Sequence, residues 1–281
     1  MNAHRQSAVS LLAATMAFVL AVGLTAETRA GYYAYSEQQT SSYVFNGVTV
    51  GAITPLSSTS GAQVANPTGN ESHSGGLDAL QSYVGPARPA ENTFTPLGQV
   101  NPDFVRGDAL ITVSPSLTTN NVAEGFLNGP GNSAGSGSWS FSAPITLSAA
   151  GTVTLGFTYS NILTLVNAPT ASAPTGTVAA DYGYNFSIQN GSGITIFSSS
   201  PNAVNRSLSL VLPGSSSTPG SGSLSITSGT LAAGTYTATV SGSEHVFLSA
   251  VPEPGSVALM AIGVAALTGG AIRKRLFPAR A

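Results

Sequence analysis

The chain has no cysteine, and only 7% of its 281 residues are charged, well below the quarter share usual in soluble domains. The missing thiol excludes a disulfide framework, a cysteine nucleophile and a cysteine-based metal site. Between residues 31 and 251 there is no lysine, and three arginines (Arg88, Arg106, Arg206) stand against nine acidic side chains. Phosphate neutralisation needs clustered positive charge, so nucleic acid is excluded as a partner. His73 and His245 lie far apart in this region and have no ligand-type neighbours, so they read as solvated surface residues. No metal site or cofactor is expected from such spacing. Asp103 and Asp108 flank Arg106 as a loop carboxylate pair, but no D-x-[DN]-x-[DN]-G calcium loop occurs.

What the chain does have is apolar material, 42% of its residues, together with 32 Gly and 17 Pro. Val153, Leu155, Phe157 and Tyr159 alternate with small polar residues, as do Tyr182, Tyr184, Phe186 and Ile188. The same period of two returns at 208–212, 224–226 and 236–240. Strict alternation marks antiparallel strands with one face buried and one wet. Asn190-Gly191-Ser192-Gly193 reads as a hairpin turn. The fold expected for residues 31–250 is therefore all-β, an antiparallel, jelly-roll-like β-sandwich of roughly eight to ten short strands. Within it, Leu77–Val84 and Val122–Leu127 read as short helices. Residues 55–76 read as a long Ser/Gly/Asn loop, and Pro213–Gly222 as a mobile connection.

Both ends depart from this pattern. Residues 1–30 read as a signal peptide for signal peptidase: a polar start with His4 and Arg5, an apolar run from Leu11 to Leu24, then Thr28-Arg29-Ala30. Ser256 to Ile272 carries no charge and is followed by Arg273, Lys274 and Arg275 within a basic tail, 273–281. Such a run is a transmembrane helix of about 25 Å whose basic cluster stays cytoplasmic. Before it stands Val251-Pro252-Glu253-Pro254, where two prolines keep the backbone extended and open to a protease.

This order of Pro-Glu-Pro, membrane helix and basic tail over residues 251–281 resembles the PEP-CTERM sorting domain, the signal read by the membrane protease-transpeptidase exosortase. Ala79–Gly85, Arg106–Leu110 and Leu231–Tyr236 are similar to segments of exosortase-dependent surface proteins. The resemblance implies an exported, cell-surface or extracellular protein of a Gram-negative bacterium, cut near Pro252 after export or held by its helix. It further implies a non-enzymatic structural or adhesive role in exopolysaccharide or biofilm.

Two alternatives use the middle of the chain. Gly131-Asn132-Ser133-Ala134-Gly135 matches the G-x-S-x-G elbow of serine hydrolases, and Asp181 and His245 follow in the hydrolase order. The elbow needs a strand-to-helix turn, whereas Ser133 sits in a Gly/Ser loop ahead of a strand, so no catalytic residue is expected. A carbohydrate-binding module is the other alternative, with Trp139 or the tyrosines Tyr32, Tyr33 and Tyr35 as sugar platform. Trp139 alternates in register with Phe141, the spacing of a core aromatic.

Overall fold

Two antiparallel sheets face each other in a computed structural model that describes residues 31–65, 68–99, 103–114, 116–167 and 176–250. The first half of the chain contributes β1 (Tyr32–Asn46), β2 (Thr49–Val50), β3 (Thr54–Ala65), β4 (Thr68–Gly75), β5 (Asp78–Val84), β6 (Phe104–Thr112) and β7 (Thr118–Leu127). The second half contributes β8 (Gly131–Leu147), β9 (Thr154–Asn167), β10 (Gly176–Gln189), β11 (Thr195–Ser199), β12 (Arg206–Leu210), β13 (Gly214–Thr227) and β14 (Gly234–Ala250). Sheet A runs β13-β9-β1-β7-β6-β5, and sheet B runs β11-β10-β14-β8-β3-β4, with β12 also on β10 and β2 on β8. The sandwich expected from alternation is present, with fourteen strands among the described residues rather than eight to ten. Several are long: β8 and β14 have 17 residues each.

Four local expectations are corrected. Leu77–Val84 and Val122–Leu127 are not helices; they lie in β5 and β7, and no α-helix occurs among the described residues. Val122–Leu127 looks continuously apolar because β7 is buried on both faces there, which erases the alternation, whereas at β5 Leu77 and Leu80 are exposed at the outer edge of the sheet. Within 55–76, residues 55–65 and 68–75 lie in the paired strands β3 and β4, and 214–222 lie within β13, paired with β9 along its length. These Ser/Gly/Thr segments are edge or near-edge strands with few apolar side chains to give them away.

The interior is divided along its length. One apolar cluster gathers Trp139, Phe141, Leu155, Phe157, Tyr184 and Phe186, and a second gathers Tyr32, Leu163, Leu165, Val178, Val246 and Leu248. Between them the inward-facing residues turn polar: Ser36 and Gln38 on β1, Asn121 on β7, Asn161 on β9 and Glu244 on β14, all buried. Trp139 Nε1 donates to Asn121 Oδ1 at 3.3 Å across this belt. Elsewhere the sheets nearly touch. A Cβ on Gly107 would fall 1.8 Å from the Ser136 carbonyl oxygen, and one on Gly137 2.4 Å from that of Asp108. Only glycine fits there, so β6 and β8 approach backbone to backbone.

Candidate functional site

Over β1, β7 and β6 the outer face of sheet A is not a solvent face, because residues 85–99 lie across it and charged side chains tie them down. Arg106 on β6 and Glu124 on β7 are direct cross-strand partners. Their side chains are fully buried and joined at 2.8 Å through Arg106 Nε. Arg106 also donates from Nη1 to the Thr93 carbonyl and from Nη2 to that of Thr95 at 2.7 Å. Glu124 accepts from the Tyr33 hydroxyl at 2.7 Å and from the backbone N–H groups of Leu97 and Gly98. Asp108 accepts from Asn92 N–H at 2.9 Å, and burial pushes its pKa up to about 6. Each of these groups is spent on holding the segment, so the Asp103–Asp108 carboxylate pair is not an open loop: Asp108 lies within β6. Among the described residues no cluster of His, Asp and Glu is arranged to hold a metal ion.

The remaining tie is at the β4 edge. Glu71 meets Arg88 at 2.5 Å and His73 at 2.7 Å. Burial opposes ionisation of Glu71, but these hydrogen bonds and one from Tyr83 N–H outweigh it and hold its pKa down at about 2. His73 is thus engaged by a carboxylate instead of being simply solvated.

Strand parity separates the hydrolase candidates. On β8 and β14, Ser133 pairs with Leu248 while His245 pairs with Ser136. Ser133 therefore points into the sandwich with Leu248, and His245 points out with Ser136. Asp181, opposite His245 on β10, is its partner at 3.0 Å. An Asp–His pair exists, but the serine lies on the other side of the sheet, inside β8 and not on a strand-to-helix turn.

The aromatic platform candidates are core residues. Trp139 is 1% exposed and stacks on Phe141 with ring centroids 5.9 Å apart. Tyr32, Tyr33 and Tyr35 are buried in β1 rather than forming an exposed start. The Tyr35 hydroxyl donates to the Phe94 carbonyl at 2.5 Å.

The open surface is the outer face of sheet B, and there the residue missed from the sequence is Phe247. It is 46% exposed, although β14 places its neighbours Val246 and Leu248 in the core. Its cross-strand partners are Ala179 on β10 and Ala134 on β8, too small to cover either side of the ring. One step back along β14 comes the His245–Asp181 pair, both half exposed. Next is a shallow groove of about 350 Å³ lined by Ser138, Ser140, Ser241, Ser243 and Asn185, with Asn205 and Ser200 beside it. The only clue in the sequence was outward parity: Phe247 breaks a run of small polar residues at Thr237, Thr239, Ser241 and Ser243.

The sorting residues Val251, Pro252, Glu253 and Pro254, the 256–272 run, the basic cluster Arg273, Lys274 and Arg275, and the 1–30 leader lie outside the described residues. No helix of the described residues is long and apolar enough to cross a membrane. No curated protein and no solved structure matches the chain. The protein-family model described as the PEP-CTERM protein-sorting motif does match, over residues 250–275, directly where β14 ends at Ala250. The chain therefore carries a PEP-CTERM protein-sorting motif, which indicates export and membrane-associated sorting to the cell surface with exosortase as the processing partner.

Proposed function

We propose that the β-sandwich is a non-enzymatic matrix component, delivered through the membrane by its leader and released by cleavage near Pro252. It then takes a structural or adhesive place in extracellular polysaccharide. The observation that carries this reading is the position of the sorting motif: it begins at residue 250, where the last strand of the sandwich ends. A complete folded unit is thereby followed at once by a removable segment. The surface supports the same reading. Its outward residues are mainly Ser, Thr, Asn and Gly, and the basic side chain Arg106 is buried, which leaves little charge to exchange with salts or polyanions.

Intact-mass analysis of the protein recovered from membrane and extracellular fractions of its own cells tests the proposal. A chain beginning near Gly31 and ending near Pro252 is the expected result. A chain ending at Ala281 in the membrane fraction defeats it and leaves a permanently anchored domain.

A further inference from the structure

We infer that the outer face of sheet B around Phe247 is a binding track for a neutral polysaccharide chain. This deepens the matrix reading above and rests on it for the choice of polymer. The aromatic ring supplies an apolar plane that both neighbouring strands leave uncovered, since Ala179 and Ala134 stand beside it. Sugar rings present C–H-rich faces to such planes and hydroxyl edges to polar groups. Those groups follow immediately. The His245 Nδ1–Asp181 Oδ1 pair lies one residue pair along the strand, and the groove lined by Ser138, Ser243 and Asn185 continues in the same direction. From Phe247 to Ser241 the rise along β14 is about 20 Å, long enough for several linked sugar units.

The composition of the track selects its occupant. None of the facing positions on β8, β10 and β14 between Ser241 and Phe247 carries a lysine or arginine, and the one histidine, His245, is already paired with Asp181, so a polyanion finds no unpaired positive charge there. A single half-exposed phenylalanine among hydroxyls is also far from the anchor-rich core that protein partners bury. A neutral polymer with alternating apolar faces and hydroxyls matches both properties.

The groove is shaped by backbone as well as by side chains. Gly183 leaves its floor open opposite Ser243. Asn205 forms one side and is fixed by hydrogen bonds to Tyr184 at both its amide and carbonyl ends, with a third bond to the Pro201 carbonyl at 2.8 Å. The wall is therefore set before any ligand arrives, which lowers the ordering cost of binding.

The test uses the full chain in a zwitterionic, sugar-free detergent, mixed separately with cellulose, cross-linked dextran, xylan and alginate beads. Retention on at least one neutral polymer is expected, weakened about tenfold by Phe247→Ala and kept by Phe247→Tyr. Asp181→Asn is expected to weaken it by a smaller factor. Because Phe247 is half exposed, its truncation leaves the core intact, and an unchanged melting profile verifies this. Undiminished retention of Phe247→Ala, retention by alginate alone, or no retention by any polymer would each overturn the proposal. An unprocessed chain that still binds through Phe247 defeats the sorting proposal and leaves this site standing.

Discussion

Arg106 and Glu124 face each other on adjacent strands, and neither side chain is exposed to solvent. The pair is a fastening: through it, sheet A holds the carbonyl groups of Thr93 and Thr95 and the N–H groups of Leu97 and Gly98. Taking two charges out of water is costly, so the geometry must be complete. Removing either partner strands the other. Arg106→Ala is expected to lower unfolding stability by about 3–5 kcal/mol, read from the urea midpoint. The double change Arg106→Met with Glu124→Leu recovers much of that loss while freeing residues 93–98 to proteolysis. Equal protease resistance in the double variant and the parent would show that the pair does not fasten the segment.

Glu244 sits fully buried in the polar belt between the two apolar clusters. Burial raises its pKa well above 4.5, with the nearby Glu37 carboxylate adding to the effect. The folded state thus keeps a proton that the unfolded chain gives up above about pH 4.5. Stability is expected to fall as pH rises through that value toward the higher folded-state pKa. Asp108 acts in the same sense between 3.8 and about 6, whereas Glu71 supplies stability above 4.5 that is lost as pH drops toward about 2. The difference in urea midpoint between Glu244→Gln and the parent isolates the Glu244 contribution. It should favour the variant more at pH 8 than at pH 5; a constant difference removes Glu244 as the cause.

Gly107 is the tightest point of the sandwich. A methyl group there meets backbone oxygens of Ser136 and Gly61, at 1.8 and 2.7 Å, and backbone cannot swing aside as a flexible side chain does. Gly107→Ala is expected to destabilise by at least about 1–3 kcal/mol. Gly156→Ala serves as the control, since its nearest atom lies 3.8 Å away. Thermal melts of the two variants decide the matter, and similar melting points would mean that the sheets separate easily.

Pro219 lies in the middle of β13, which ends sheet A. Proline is accepted in a sheet at such edges, where its missing N–H faces away from the neighbouring strand. It interrupts an uncharged 14-residue edge that would otherwise present a template for a second chain. Pro219→Val is expected to shift the protein toward dimers and larger species in sedimentation velocity runs. An unaltered distribution would show that the edge is protected by something else.

Legibility from the sequence followed solvent exposure. Strands β9, β10 and β14 show one dry and one wet face, and their alternation could be read directly from Val153 to Tyr159, Tyr182 to Ile188 and Tyr236 to Val240. Where a second layer covers a strand, as residues 85–99 cover β6 and β7, the period disappears, and Val122–Leu127 imitates a helix. Where neither face meets much apolar material, as in β4 and β13, serine and glycine imitate a loop. The binding face was hidden for a related reason. Trp139 drew attention as the single tryptophan, but pairing register places it inside, and the outward aromatic is the less conspicuous Phe247. The sorting segment was legible because its information lies in residue order alone, needing no tertiary contact.

The placement of β14 carries a mechanical consequence. It is the last strand among the described residues, yet it lies inside sheet B, paired with β8 from Gly234 to Ala250 and with β10 from Thr237 to Ala250. A pull applied beyond Ala250 acts along the strand and across its hydrogen bonds, so both ladders are sheared together instead of being peeled one rung at a time. Any tension applied from beyond Ala250, as before cleavage, is borne by the strand best placed to resist extraction.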